Sequence, residues 1–227
     1  MNRLIVLCLA ATLVLCACPK PPPPPPPPAP KAPEEPTPEA IAAQIRPALE
    51  PYRRLLRQKI GPGGTGAADG LSGGDQKRVR EELKAAKQKF QHTENGKQAI
   101  RMVTHDVEEM IRNARDQSRW RIVKECIETW RILSPGSPKM DRIEERADLH
   151  LRQPRVFVKG FFDDEETGDT YVFLEVTERP SKKRHDLRAR VGDVFFHVRL
   201  LDIVGDNKGV KLEYLLIPGT IWEVMGP

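Results

Sequence analysis

The sequence predicts an α+β protein in which a small helical bundle precedes a small antiparallel β-sandwich or barrel of about six strands. Two observations carry this expectation. Apolar residues recur every three or four positions through residues 75–153, which is the period of amphipathic helices. Short runs of β-branched and aromatic residues separated by turn signals fill residues 154–227. A signal-like start and a proline-rich arm come before both. The predicted segments are therefore 1–17, 18–38, 39–60, 61–74, 75–153 and 154–227.

The first segment, residues 1–17, resembles a secretory signal peptide. Arg3 supplies a basic start, and an uncharged apolar run extends from residue 4 to residue 15. This run is shorter than the roughly 20 residues of a membrane-spanning helix. The sequence Leu15-Cys16-Ala17-Cys18 resembles the lipobox of bacterial lipoproteins, which implies cleavage after Ala17 and a lipid anchor, with acyl chains such as palmitate, on Cys18. The alternatives are lipidation at Cys16, or an ordinary signal cleaved after Ala17 that leaves an unmodified thiol.

Residues 18–38 are predicted to form a disordered, proline-rich stalk. Positions 21–28 are eight consecutive prolines, and proline fixes φ and lacks an N–H group. Such a run favours an extended polyproline II rod that rises about 3.1 Å per residue. We expect the stalk to act as a spacer between the membrane and the rest of the chain.

The next two segments, 39–60 and 61–74, are predicted to be short helices followed by a glycine-rich linker. Thr37 and Pro38 form a good helix start, and Pro47 and Pro51 should split the helical stretch. The linker contains Leu71-Ser-Gly-Gly-Asp75, which looks like the signature motif of ABC transporter ATPases. No phosphate-binding loop of the form G-x-x-x-x-G-K-[ST] accompanies it, so we interpret Ser72 as a helix cap.

Residues 75–153 are predicted to form four helices. A break at Asn95-Gly96 separates the first two, and Trp120 and Trp130 are expected to anchor the core of the third. Residues 76–153 hold 18 basic and 13 acidic residues. Such a surplus is typical of a solvated helical surface, although an anionic wall polymer or lipid surface is a second interpretation.

The β-segment is predicted to hold strands at 155–162, 170–177, 185–191, 194–204, 210–217 and 220–225. Exposed edge strands are common docking sites for a partner segment, and we assign the binding edge to 194–204 and 210–217. The acidic turn at 163–169 carries oxygen ligands but lacks the spacing of a calcium loop, so a solvated turn is expected.

No catalytic, cofactor or metal site is predicted. The five histidines fall in no known metal or catalytic spacing, and no nucleophile elbow is present. Cys126 has apolar neighbours and no disulfide partner after processing, so we expect a buried, unreactive thiol. The chain is therefore expected not to be an enzyme, and no small-molecule substrate or nucleic acid is implied.

The strand region resembles the periplasmic β-domain of the type IV pilus lipoprotein PilP and the type II secretion protein GspC. The residues that carry the resemblance are Val158-Lys-Gly160-Phe, Arg190-Val-Gly192-Asp193, Val198-Arg-Leu-Leu-Asp202-Ile203 and Gly209-Val-Lys-Leu-Glu213. A lipid anchor and a proline-containing arm before the β-domain fit the same family, whereas the helical block 76–152 departs from it. The resemblance implies a scaffold or adaptor in an envelope assembly.

Together these features predict a membrane-anchored lipoprotein of the bacterial envelope, facing the periplasm, that binds protein partners as a structural adaptor in a pilus- or secretion-type assembly. The alternative is a cell-wall- or surface-associated lipoprotein of unknown binding role. The sequence leaves open the partner, the oligomeric state and which of the two membranes holds the lipid.

Overall fold

The computed structural model describes residues 35–58, 70–205 and 208–226 and confirms the predicted α+β class. The predicted signal peptide, Cys18 and the proline run at 21–28 lie outside the described residues. Helices occupy the first part of the described chain and antiparallel strands occupy the second.

Six α-helices and one 3₁₀ helix form the helical part. Their bounds are α1 Pro38–Ile45, a 3₁₀ helix Arg46–Leu49, α2 Glu50–Arg57, α3 Gly73–Phe90, α4 Glu94–Asp116, α5 Trp120–Leu133 and α6 Pro138–Arg152. The split at the two prolines is confirmed, since the 3₁₀ helix lies between α1 and α2. The N-caps predicted from sequence are also present: Thr37 Oγ1 accepts from the Ala40 N–H, and Ser72 Oγ accepts from the Asp75 N–H.

The segments 39–60 and 75–153, which the sequence separates by a linker, share one hydrophobic core. Ile41 and Leu49 come from the first segment and Val79, Val107 and Ile127 from the second, and all five are fully buried. Part of the predicted linker also belongs to the folded unit, since Leu71 is buried in this core and α3 begins at Gly73. Residues 59–69 lie outside the described part.

The predicted break between the first two long helices is misplaced. The sequence puts it at Asn95-Gly96, whereas α3 ends at Phe90 and α4 begins at Glu94. Thr93 caps α4 by accepting a hydrogen bond at Oγ1 from the Gly96 N–H at 3.0 Å. The asparagine and glycine therefore lie in the first turn of the helix, where an N-terminal cap outweighs their poor helix propensity.

Seven strands form two antiparallel sheets that share a second core. The bounds are β1 Arg155–Asp163, β2 Thr170–Thr177, β3 Arg184–Ala189, β4 Val194–Phe195, β5 Val198–Val204, β6 Gly209–Tyr214 and β7 Ile221–Met225. The sheet orders are β1-β2-β3 and β4-β5-β6-β7. Val172 and Leu174 from the first sheet and Leu200 and Leu212 from the second are fully buried in one cluster, which is the arrangement of a small sandwich.

One predicted strand is wrong: 194–204 is a hairpin. Phe196 and His197 have left-handed φ values of 47° and 62°, and they form the turn between β4 and β5. Two positive φ values in a two-residue turn match the twist of antiparallel strands, but the usual residues there are Asn and Gly. A phenylalanine and a histidine gave no turn signal, so the sequence pattern looked continuous.

Candidate functional site: the outer face of the three-stranded sheet

The binding edge predicted at 194–204 and 210–217 is a free edge only in small part. The two-residue strand β4 is the edge of the four-stranded sheet, whereas β5 and β6 lie in its interior. β6 is hydrogen-bonded to β5 on one side and to β7 on the other, so it has no free edge. β5 is covered by β4 and by the turn before it as far as Leu200, since the Gly192 N–H donates to the Leu200 carbonyl at 2.8 Å. Only the end of β5 remains unpaired on that side among the described strands.

A free edge is present instead at β3. This strand pairs with β2 along its whole length and with no other described strand. Its outward side chains are Arg184, Asp186 and Arg188, all exposed. An edge with unpaired backbone groups is able to accept an extended segment from another chain.

The three-stranded sheet also has an aromatic surface on the side away from the core, which we call the outer face. Phe157, Phe162 and Phe173 lie on it and are 48%, 50% and 42% exposed. They alternate with the inward-facing Val156, Val158, Val172 and Leu174 along β1 and β2. Burying such phenylalanines against a partner would gain about 2 kcal/mol each before the cost of association.

A β-bulge shapes the middle of the outer face. The register of β1 against β2 shifts between Val158 and Gly160, so that Gly160 lies opposite Phe173. Because glycine has no side chain, the Phe173 ring has a shallow depression beside it, bordered by Lys159, Asp186 and Arg188. Gly160 is one of the residues that carry the sequence resemblance described above.

Charged side chains surround the aromatic rings in a fixed arrangement. Lys159 Nζ lies 2.6 Å from Asp186 Oδ1 and 3.2 Å from Glu175 Oε2, and these hydrogen bonds, first to Asp186 and then to Glu175, raise the pKa of the lysine. The Arg188 guanidinium lies 4.3 Å from the centre of the Tyr171 ring, a cation–π contact. Lys159 therefore bridges the two carboxylates of this face, and Arg184 lies 3.9 Å from one of them, Glu175.

One end of the outer face opens into a groove of about 780 Å³, which we call the cationic groove. It lies where α5 and α6 meet the β2–β3 turn. Its cations are Arg121, Arg155, Arg179, Lys182 and Arg184, its carboxylates are Glu175 and Glu178, and its apolar lining is Leu151, Phe157 and Pro180. Phe157, Glu175 and Arg184 belong to both the groove and the outer face, so the two surfaces are continuous.

Cys126 and Trp130 are buried as the sequence predicts, whereas Trp120 lies at the edge of the core. Cys126 is fully buried, and burial raises the pKa of its thiol. Trp130 is buried and donates from Nε1 to Glu108 at 3.1 Å. Trp120 is partly exposed and stacks on His150 with ring centres 3.7 Å apart. Burial, and then the charge of Arg146, lowers the pKa of His150 to about 4.

The acidic turn between β1 and β2 is organised by hydrogen bonds within the protein. Asp164 Oδ1 accepts from the Glu166 N–H at 3.0 Å, and Asp163 accepts from the Thr170 hydroxyl at 2.7 Å. Asp169 pairs with Arg190 at 3.1 Å. Within the described ranges, no group of three or more possible ligands is gathered for a metal ion.

Many basic side chains of the helices form ion pairs on the helix surface, although the net surplus of five positive charges in residues 76–153 remains. Examples are Arg78 with Asp75 at 3.0 Å, Lys124 with Asp148 at 2.7 Å and Arg131 with Glu144 at 2.6 Å. Paired charges of this kind are typical of a solvated helical surface and offer little net attraction to a polyanion.

The exposed phenylalanines were not singled out from the sequence, although a signal for them exists. In β1 the pattern Val156-Phe157-Val158 places aliphatic and aromatic residues on opposite faces, because side chains alternate along a strand. Strands that are apolar on both faces usually have both faces covered. The pattern therefore indicates a strand that is apolar on both faces of the sheet.

No family model, curated protein or solved structure matches this chain. None of the helices in residues 35–58, 70–205 and 208–226 has the length and apolar character needed to cross a membrane.

Proposed function

We propose that this chain is a membrane-anchored envelope lipoprotein that acts as a structural adaptor in a pilus- or secretion-type assembly. In this proposal the β-domain binds a protein component of the assembly through the outer face. The observation that carries the proposal is the set of three exposed phenylalanines, Phe157, Phe162 and Phe173, on one face of a small sheet. Clustered exposed aromatic residues bordered by charged ones are characteristic of protein interaction surfaces.

The sequence supports the anchoring part of the proposal. A lipobox-like motif ends at Cys18, and the proline run at 21–28 follows it closely. An extended run of that kind would hold the folded part away from the membrane. The proposal assigns the chain a binding role, since the motifs in its sequence point to an anchor and a spacer and to no reaction.

The alternative role, attachment to the cell wall or to a lipid surface through the basic helical block, has weaker support. It requires unpaired positive charge on α3–α6, and several of the basic side chains there are engaged in ion pairs. The outer face offers both apolar area and charge, which suits a protein partner better than a highly charged polymer.

A photo-crosslinking experiment in the native envelope tests the proposal. A photoreactive phenylalanine analogue is placed at Phe173 in the full chain, and the same analogue is placed at Lys84, an exposed position on α3, as the matched control. We expect illumination to give a discrete adduct from position 173 and none from position 84, with a pilus or secretion component identified in the adduct by mass spectrometry. Adducts only with unrelated proteins, or no adduct from position 157, 162 or 173, would contradict the proposed function.

A further inference from the structure

The cationic groove carries an excess of positive charge that its own residues leave unneutralised. Arg121 pairs with Glu125 at 3.3 Å, and Arg184 lies 3.9 Å from Glu175. Glu175 is also shared with Lys159 outside the groove, and Glu178 accepts from the Ser181 hydroxyl and lies 3.6 Å from His185. Arg155 and Lys182 form no ion pair within 4 Å among the described residues. Like charges gathered in one groove repel each other, so an anionic occupant would be attracted.

A second observation concerns Arg155 in the same groove. Arg155 Nε is buried and has no hydrogen-bond partner in the structure. Buried N–H groups nearly always have an acceptor. Arg155 is the first residue of β1 and lines the groove, so its guanidinium brings a positive charge to the groove wall. Because Nε is closed to solvent, an anion in the groove would have to pair with another part of the guanidinium.

The remaining lining indicates which kind of anion fits. Leu151, Phe157 and Pro180 offer an apolar surface between the cations, while Glu175 and Glu178 would repel a polyanion such as a phosphate polymer. A peptide carries carboxylates, apolar side chains and backbone N–H donors together, so it matches all three kinds of lining group. The exposed β3 edge, which holds Arg184, borders the groove and suits an extended segment.

We propose that the cationic groove binds an acidic segment of the partner protein, with at least one apolar side chain resting against Phe157 and carboxylates paired with Arg155 and Lys182. This inference rests on the proposed function, because it names the chemistry of the partner segment that reaches the end of the outer face. The two ends of the proposed interface then differ: aromatic contacts lie at one end and charge pairs at the other.

The test measures peptide binding to the full chain purified in a non-ionic detergent. The probe is a fluorescein-labelled decapeptide of alternating Glu and Leu, followed by fluorescence anisotropy, and the matched probe carries Gln in place of Glu. We expect the acidic probe to bind at least about tenfold more tightly than the Gln probe and to weaken as salt is raised. Equal binding of the two probes, or no binding of the acidic one, would overturn the inference.

Two neighbouring lysines provide the matched variants. Lys182 lines the groove, whereas Lys183 lies beside it in the sequence and is exposed without lining the groove. Lys182→Glu and Lys183→Glu change the net charge equally, so we expect about a tenfold loss of affinity for the first and less than about threefold for the second. Equal losses would show that the attraction is long-range and that the groove is not the binding site.

A competition arm separates a peptide from a phosphate headgroup. Glycerol phosphate is added to the bound acidic probe at constant ionic strength, and we expect no displacement beyond that caused by the same concentration of sulfate. Specific displacement that Lys182→Glu abolishes would overturn the peptide assignment in favour of a phosphate ligand. The crosslink from position 173 does not depend on the groove, so its persistence alongside a failed peptide assay would reject this inference and leave the proposed function standing.

Discussion

At the scale of single residues, Glu125 is a buried carboxylate in the helical part that accepts several hydrogen bonds. It is buried on α5, and its carboxylate accepts from the Leu71 N–H at 3.0 Å, from Gln76 Nε2 at 2.8 Å and from Arg121 Nε at 3.3 Å. Burial raises the pKa of this carboxyl against the opposing effect of the Leu71 hydrogen bond. These bonds fasten the chain at the start of α3 to α5, which explains why Leu71 joins the core.

Removing this carboxylate should therefore lower the stability of the protein much more than removing an exposed one. Glu125→Ala leaves the buried Leu71 N–H without an acceptor, and we expect the free energy of unfolding to fall by about 2–3 kcal/mol. The measurement is urea unfolding followed by circular dichroism. Glu109→Ala on α4 is the matched control, because Glu109 is exposed and its carboxylate lies 3.9 Å from His105, too far for a hydrogen bond. A control that loses as much stability as Glu125→Ala would contradict this account of the network.

At the scale of elements, the junction between α3 and α4 depends on a close approach of backbone. A Cβ atom added at Gly96 would overlap the backbone carbonyl oxygen of Phe90 and would lie only 2.7 Å from the carbonyl carbon. Gly74, in the first turn of α3, has no atom nearer to such a Cβ than Ser72 Oγ at 3.9 Å. Both glycines lie in the first turn of their helices, Gly74 as the second residue of α3 and Gly96 as the third of α4, yet only Gly96 is required by packing.

Replacing each glycine by alanine should therefore change the free energy of unfolding in opposite directions. Alanine is favoured over glycine in a helix by about 1 kcal/mol, so Gly74→Ala should be neutral or stabilising by up to that amount. Gly96→Ala should destabilise by about 1–3 kcal/mol, because the overlap forces the α3–α4 turn to move. Thermal unfolding of the two variants side by side measures both. A gain in stability for Gly96→Ala would show that the turn relaxes freely and that the approach is not needed.

Much of the element pattern could be predicted from the sequence because it rests on local physics. The spacing of Val103, Val107, Met110 and Ile111 predicts a helix with one buried face, as α4 has. Thr37 and Ser72 could be predicted as N-caps because their hydroxyls accept hydrogen bonds from the first turn of a helix. The Phe196-His197 turn could not be predicted, since its left-handed backbone is imposed by the pairing of β4 with β5. Strand order and the cationic groove depend on contacts between distant residues, which a periodic pattern does not contain.

At the scale of the whole molecule, the proposed anchor and the binding surface belong to one mechanism. Along the sequence, the helices α1–α6 lie between the proline-rich stalk and β1, the first strand of the outer face. In this proposal the outer face must reach its partner, so the distance between the membrane and the outer face limits which partners can bind. The sequence expectation for the eight prolines at 21–28 is a length of about 25 Å at 3.1 Å per residue.

Deleting residues 21–28 should therefore impair partner capture and leave the fold intact. We expect the crosslinking yield from position 173 in the native envelope to fall several-fold, while the urea unfolding midpoint of the purified chain stays unchanged, because the deleted residues precede the helical core that begins with Ile41. Replacing the eight prolines by eight Gly/Ser residues is the matched control for length. Such a chain is flexible, with an end-to-end distance of about 15 Å, so it should restore the yield only in part. A deletion variant that captures its partner as well as the intact chain would show that reach is not what the arm provides, and the anchor would then serve only to retain the protein at the membrane.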